Sequence, residues 1–336
     1  MDKRLKEYIR AGGTLGSLAK LPKGRKASAP FPCDPAKVYA KQVDALALRL
    51  RRIGAGDVVI GISGGLDSAL ALLVAVGAYR KLGLPLSGIH AYTMPGFGTT
   101  SRTKSNAELL CEGLGLKIET ISITKSVRQH LKDIGHDGKT ADVTYENAQA
   151  RMRTMILMDK ANMLGGIVLG TGDMSEIALG WCTYNGDHMS MFGVNSGVPK
   201  TVVRKVCTWW AEREVGGKRE MAAKAVKDIV ATPVSPELVK GQVTEDKIGP
   251  YELHDFFLWN FIVNEMGSKD ILKAAEVYFK GVFPHELVKR TLATFFRRFF
   301  TQAFKRNCHP DGIRVFPFEL SLHGWWIPSD LGVVKV

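Results

Sequence analysis

Short apolar runs alternate with longer stretches of helical period up to about Lys200. Strand-like runs fall at Val58 to Ser63, Ser87 to Met94, Leu116 to Ile123 and Gly166 to Gly170, and helical periodicity fills the intervals. A helix over Lys37 to Ile53 places Leu, Ala and Val on one face and Arg49, Arg51 and Arg52 near its end, where cations suit the helix dipole. Another, over Thr144 to Met163, precedes the fourth strand. Strand–helix alternation predicts parallel strands joined by right-handed crossovers, an α/β fold with a doubly wound sheet.

Beyond Lys200 the strand signals fade and the chain becomes helical and basic, with the proline-rich loop "ATPVSPELVKG" inside it. The run "LATFFRRFFTQAFKR" predicts a helix whose phenylalanines serve either the core or a subunit interface. Residues 12–35 are rich in Gly, Pro, Ser and Lys and predict a flexible or surface-wrapped arm. The expected division is an arm over 1–36, an α/β core over 37–215, and a helical C-terminal extension over 216–336.

Composition adds three limits. A hydrophobic content of 45% in 336 residues supports a substantial core, and no apolar run approaches the roughly 20 residues of a membrane span. The charged start "MDKRLKEYIRAGG" lacks the apolar segment of a secretory signal, so a cytoplasmic protein is expected. Five scattered cysteines without a C-x-x-C pair argue against a disulfide framework and against structural zinc. The net charge of +13 fits an anionic partner, or serves solubility alone.

The chemistry concentrates after the first strand, in "VVIGISGGLDSALALLVAV". Ser63, Gly64, Gly65, Asp67 and Ser68 stand where open α/β sheets bind ligands and helix amides favour anions. Asp67 is the anomaly, because a carboxylate repels phosphate unless a metal ion lies between them. The loop is neither G-x-x-x-x-G-K-[ST] nor G-x-G-x-x-G. Further on, Thr171 and Glu176 of "GTGDMSE" follow a buried strand at the same sheet end. By pattern alone Glu176 also reads as a first-turn helix acid, and Lys200 as a surface lysine. Arg151 and Arg153 are too close in sequence to share a helix face, which leaves open the one that turns to a ligand. Cys182 has no neighbouring base and reads as packing; His188 carries no assignment.

The S-G-G-L-D-S turn resembles the pyrophosphate loop of the N-type ATP pyrophosphatases, whose fold is of the adenine nucleotide alpha hydrolase type, Rossmann-like. "MPGFGTTSRTKSNAELL", "ENAQARMRTM" with "LGTGDMSEIALGWCTYNGDHM", and "VNSGVPKTVVR" follow it in order. Together the motifs resemble the synthetase domain of the glutamine-dependent NAD synthetases, from about Val38 to Arg204 and more loosely to the end, including "FKRN" and "PSD". The resemblance implies ATP- and Mg²⁺-dependent amidation of deamido-NAD through an adenylate. It implies ATP contacts from Gly61, Ser63, Gly64, Gly65, Asp67, Ser68, Thr171 and Lys200, and Mg²⁺ on Asp67 and Glu176. Deamido-NAD contacts would come from Asn147, Arg151, Glu176, Trp181, Tyr184, Asp187 and Lys305, with Asp67, Glu176 and Lys200 catalytic. A homodimer is also implied.

That family carries an N-terminal nitrilase-like domain with a Glu-Lys-Cys triad, and only 57 residues precede Val58 here. The chain is therefore expected to use free ammonia, to receive it from a separate glutaminase, or to be part of a longer protein. The rival within the same chemistry is a tRNA-modifying ATP pyrophosphatase, although a thiolase would need paired cysteines. A non-catalytic nucleic-acid-binding protein lacks support, since no dense basic stripe is interleaved with aromatics and Asp67 and Glu176 would oppose the backbone.

Overall fold

A computed structural model describes residues 26–99, 101–217, 219–232, 244–321 and 324. Helix α1 (Pro35–Ile53) opens on Asp34, whose carboxylate accepts from the Ala36 N–H at 2.9 Å, and closes on Gly54 in the left-handed region. Then follow β1 (Val58–Gly61), α2 (Leu66–Leu82), β2 (Ile89–Thr93), α3 (Ser101–Leu114), β3 (Ile118–Thr120), α4 (Thr124–Asp133), α5 (Val143–Leu164), β4 (Ile167–Gly170), α6 (Met174–Leu179) and β5 (Phe192–Gly193). The remainder is helical: α7 (Lys200–Arg213), α8 (Glu220–Ala231), α9 (Thr244–Ile248), α10 (Tyr251–Ile262), α11 (Ser268–Tyr278), α12 (His285–Thr301) and α13 (Ala303–Arg306).

The five strands run parallel in the order β3-β2-β1-β4-β5. The winding reverses between β1 and β4, so the crevice beyond their carboxyl ends is the place for a ligand. Along β1 the side chains alternate as a two-sided sheet requires: Val58 and Ile60 enter one core and Val59 the other. The first core collects α1, α2, α7, α8 and the C-terminal helices; the second lies under α4 and α5. Helix α2 is buried on nearly every face, which explains why its apolar residues show no stripe.

The doubly wound sheet and the helical C-terminal region are present as expected, while the strands are shorter than their apolar runs. Leu116 to Ile123 contributes only Ile118–Thr120, at the edge beside β2. The two-residue β5 falls outside the four expected strands, because two residues carry no period. A parallel bridge between Gly193 and Gly312 carries the C-terminal segment alongside it.

The part of the arm over residues 26–34 wraps the surface and is fastened to it. Phe31 is 1% exposed at φ +45°, its ring 4.9 Å from those of Trp259 and Phe316, while Ser28 bonds Trp259, Asn260 and Asn264. Residues 1–25, the rest of the expected arm, lie outside the described residues. The phenylalanine helix serves the core: Phe295, Phe299 and Phe300 are buried, with Phe257 and Phe261 of α10 edge-on to them. Apolar surface stays open instead on α5, where Met155 is 53% and Met163 79% exposed. Helix α8 packs on α3 and α7, so close that a Cβ on Gly113 would lie 2.3 Å from the Ala222 nitrogen. Among the described residues no helix is long and apolar enough to cross a membrane.

Candidate active site

The turn after β1 is built to leave amides open. Gly64 takes φ +85°, and Gly65 stands at the N-cap of α2 without any side-chain cap. Ser63 Oγ accepts from the Gly65 N–H at 3.1 Å and lies 3.1 Å from Ser68 Oγ, so the two serines brace the turn. The first-turn amides of α2 thus face the crevice as an anion seat. Gly61 is explained by packing: a Cβ there would meet Leu157 Cδ1 at 3.2 Å and Met94 Cε at 3.3 Å.

The loop after β4 supplies the opposite wall. Asp173 caps α6 by accepting the Glu176 N–H at 2.8 Å, which leaves its other oxygen for the crevice. Asn195 ties the two loops together. Its side-chain amide donates to the Asp67 carbonyl at 2.9 Å and the Thr171 carbonyl at 3.0 Å, and its oxygen accepts from Gln42 at 3.0 Å.

Lys200, the first residue of α7, reaches between these walls. Its ammonium lies 2.5 Å from Asp67 Oδ2, 2.8 Å from Asp173 Oδ2 and 2.9 Å from Glu176 Oε1, and 5.2 Å from the centre of the Tyr251 ring. The side chain is 2% exposed, so the surface-lysine reading is excluded. Burial opposes its charge, yet the three carboxylates hold its pKa well above the ordinary lysine value. Burial pushes Glu176 up to about 7, with Asp67 adding to the rise and Lys200 opposing it; Asp173 is raised well above the usual range for the same reason.

One ammonium does not neutralise three carboxylates. Oxygens of Asp67, Asp173 and Glu176 lie within 4.8 Å of one another, and the buried Asp67 Oδ1 has no hydrogen-bond partner. An all-oxygen set of this kind, open to an anion on one side, fits Mg²⁺. Sequence reasoning found Asp67 and Glu176 but passed over Asp173. Its signal was the D-x-x-E spacing after an apolar strand, which reads first as a helix cap.

A second group of expected residues gathers on the loop from Trp181 to His188. On α5, Asn147 and Arg151 stand one turn apart. Asn147 Oδ1 accepts from Thr183 Oγ1 at 2.8 Å and Arg151 Nε donates to the Tyr184 carbonyl at 3.2 Å, whereas Arg153 Nε donates to the Met94 carbonyl at 3.0 Å. Arg151 therefore belongs to this loop and Arg153 to the end of β2. Asp187 accepts the Thr183 N–H at 2.7 Å. From the C-terminal region Lys305 donates to the carbonyls of Gly180 at 2.9 Å and Cys182 at 2.6 Å, and Arg298 donates to those of Leu179 and Gly180.

Trp181 and Tyr184 do not form one aromatic face. The Arg298 guanidinium lies 4.9 Å over the Trp181 ring, and Tyr184, 37% exposed, stacks on His188 with centroids 5.5 Å apart. Burial raises the Cys182 thiol pKa, which agrees with a packing role. His188 is depressed by burial and donates from Nδ1 to the Thr183 carbonyl at 3.2 Å. A cavity of about 20 Å³ lies between Glu176 and this loop, with Gly172, Cys182, Asp187 and Ser190 on its walls.

Known proteins resemble the chain along most of its length. The family model described as NAD synthase matches residues 38–298. The chain is 40% identical to the glutamine-dependent NAD(+) synthetase of Mycobacterium leprae, over 90% of this chain and 50% of that protein. It is 31% identical to the protein of that name from Thermotoga maritima, over 72% of this chain and 40% of the other. The chain thus spans about half the length of the curated relatives it matches. Among solved structures it superimposes on an NMN synthetase from Francisella tularensis with TM-score 0.58 and 26% identity, over 74% of this chain and 93% of the other. A glutamine-dependent NAD+ synthetase from Acinetobacter baumannii, solved with adenosine diphosphate, gives TM-score 0.53 and 26% identity over 90% and 51%. With a match that extends from α1 into α12 and spans the loops of the crevice, the chain belongs to the NAD synthase family.

Proposed function

We propose that this chain is an amide ligase that uses ATP and Mg²⁺ to convert the nicotinate carboxylate of deamido-NAD into an amide, releasing AMP and pyrophosphate. The observation that carries this reading is the meeting of Lys200, Asp67, Asp173 and Glu176 beside the uncapped N-terminus of α2. The α2 amides with Ser63, Gly64, Gly65 and Ser68 would hold the ATP phosphates, with Thr171 at the opposite wall. Asp67, Asp173 and Glu176 would hold Mg²⁺, which when bound offsets charge on the polyphosphate.

In the first step the nicotinate carboxylate attacks the α-phosphorus, the bond to the bridging oxygen breaks, and pyrophosphate leaves. Lys200 and the loop amides stabilise the charge that develops on it. In the second step ammonia attacks the mixed anhydride carbonyl and loses a proton, and AMP departs as a phosphate. Glu176 borders the small cavity from which ammonia would attack, and the proton released passes to solvent. The cavity has room for one water-sized molecule, which ammonia is.

Asn147, Arg151, Trp181, Tyr184, Asp187 and Lys305 would receive the dinucleotide by holding or lining the Trp181 to His188 loop. Gly61 acts by packing behind the phosphate seat. The nitrogen donor for this chain is ammonia, free or delivered by a glutaminase domain or subunit. The chain would act as a homodimer through the exposed methionines of α5. Release of pyrophosphate and AMP, with deamido-NAD, nicotinate mononucleotide or tRNA as the only acceptor, tests the reading. Turnover with deamido-NAD is expected; the mononucleotide is the competitor raised by the likeness to an NMN synthetase, and turnover with tRNA alone would replace the reading by the RNA-modifying one.

A further inference from the structure

Asp255 lies in α10, in the run "YELHDFFLWNFI", outside every motif that marks the crevice. It is 0% exposed, and a carboxylate so placed is stable only with its oxygens matched. One oxygen accepts the Ser175 hydroxyl. The other accepts both the N–H of Thr201 at 3.0 Å and its hydroxyl at 2.6 Å. Ser175 Oγ in turn accepts the Lys200 N–H at 2.8 Å. Ser175 is the second residue of α6 and Thr201 the second of α7, so one carboxylate sits over the first turns of two helices, where free amides and the helix dipoles favour it.

We propose that Asp255 is a positioning residue, which joins the first turns of α6 and α7 and so fixes Lys200 against Glu176. The inference rests on the ligase reading of the crevice. Helix α6 carries Asp173 at its cap and Glu176 in its first turn, and α7 begins at Lys200, so the contacts of the ammonium depend on how these two turns are set. Helix α6 follows β4 and α7 follows its neighbour β5, and the Met174 N–H donates to the Val198 carbonyl at 3.0 Å beside the Asp255 bridge. Asp255 touches none of the reacting groups, and its effect passes through Ser175 and the α7 backbone. Burial pushes its pKa up to about 6, while the Ser175 hydroxyl and the Thr201 hydroxyl and N–H oppose the rise.

The test uses the full chain with Asp255→Asn, Ser175→Ala and the double substitution. Asparagine keeps the size of the side chain but loses an acceptor. Steady-state pyrophosphate release gives kcat and KM, and hydrogen exchange by mass spectrometry reports the amides of residues 199–204. A kcat lowered ~10-fold in each single variant is expected, with KM for deamido-NAD within about twofold and exchange at 199–204 accelerated. The double variant should lose no more than the worse single one, because both break one relay. Unchanged kcat in the single variants, or losses that multiply, would overturn the proposal. Should Asp255→Asn fail to fold, Ser175→Ala and Thr201→Val decide by the same readouts. If the unsubstituted chain amidates nothing, the ligase reading falls by itself; exchange at 199–204 then decides, and unchanged exchange rejects the positioning role.

Discussion

Lys200 and Asp67 meet at 2.5 Å although 133 positions separate them in the chain. Asp67 arrives on the first turn of α2 after the central strand β1, and Lys200 on the first turn of α7. Their pairing closes the crevice between β1 and β4 around a cation, where one ammonium faces three carboxylates. Burial, with mutual repulsion added, raises Asp173 and Glu176 against that single cation.

Lys200→Met removes that cation and leaves the buried carboxylates unmatched. Breaking a buried pair from one side costs about 3–5 kcal/mol, so the melting temperature in EDTA should fall by several degrees. Millimolar Mg²⁺ should restore much of it, since the divalent ion takes up the oxygens the lysine left. Calorimetric melts with and without Mg²⁺ check this; a loss that Mg²⁺ leaves untouched would remove Asp67, Asp173 and Glu176 from consideration as a metal set.

Asp67→Asn should act on chemistry rather than on folding. The side chain keeps its shape, and the Asp67 carbonyl that Asn195 holds is unaffected. Loss of a carboxylate that carries the metal against ATP is worth several kcal/mol at the transition state, or ~10²-fold or more in adenylation rate. Pyrophosphate release at saturating Mg²⁺ measures it, and turnover near that of the unsubstituted chain would exclude the metal role.

These two residues also mark how far the sequence is legible. The turn from β1 into α2 could be read because strand, glycines and apolar helix are contiguous, and local pattern specifies them. Lys200 could be placed only through its motif, since nothing in "VPKT" shows that the side chain is buried. Asp173 was hidden because a cap explains it completely until β1 and β4 are seen side by side. Asp255 was hidden by its apolar helix, which reads as plain core, and Phe31 by the glycine- and proline-rich composition around it. Each missed residue acts across the fold, between elements far apart in the chain.

A pH effect on stability should come from His254, the neighbour of Asp255 on α10. It is buried, donates from Nε2 to the Ile248 carbonyl at 2.9 Å, and has an unpartnered Nδ1; burial lowers its pKa from 6.5 to about 4. The unfolded chain binds this proton first. The stabilising contribution is therefore complete above pH 6.5 and is lost as pH falls toward 4, by about 1.4 kcal/mol for each pH unit between the two values. His254→Gln, which keeps a donor for Ile248, should flatten the fall in melting temperature between pH 6.5 and 4. An equal slope in the two proteins would show that another group is responsible.

The exposed methionines of α5 are where the proposed dimer would form. Met155 and Met163 are 53% and 79% exposed on a helix whose neighbouring turns hold Asn147 and Arg151 against the substrate loop. Met155→Asp should shift the mass measured by light scattering at micromolar concentration from dimer to monomer, because a desolvated unpaired carboxylate opposes burial. A monomer in the unsubstituted chain with full activity would end the dimer reading.

The nitrogen source can be separated from the amidation itself. A nitrilase-type glutaminase needs a cysteine activated by an acid and a base on its own large fold, and the cysteines of the synthetase core are differently placed. Cys111 and Cys207 are buried in the main core, and burial raises both thiols. Cys182 is raised in the same way, and Cys33 stands beside the helix cap Asp34, partly buried. Cys308 Sγ lies 3.6 Å from His188 Nε2 and donates to the carbonyls of Phe304 and Lys305, one turn back in α13. This chain should therefore make NAD from ammonium and be indifferent to glutamine, even though the relatives it matches are named glutamine-dependent and are about twice its length. NAD formation with either nitrogen donor, after enzymatic removal of trace ammonia, measures the difference. Synthesis from glutamine by the purified chain would show that a thiol read here as packing is a nucleophile, and Cys308→Ser would then be the first substitution to identify it.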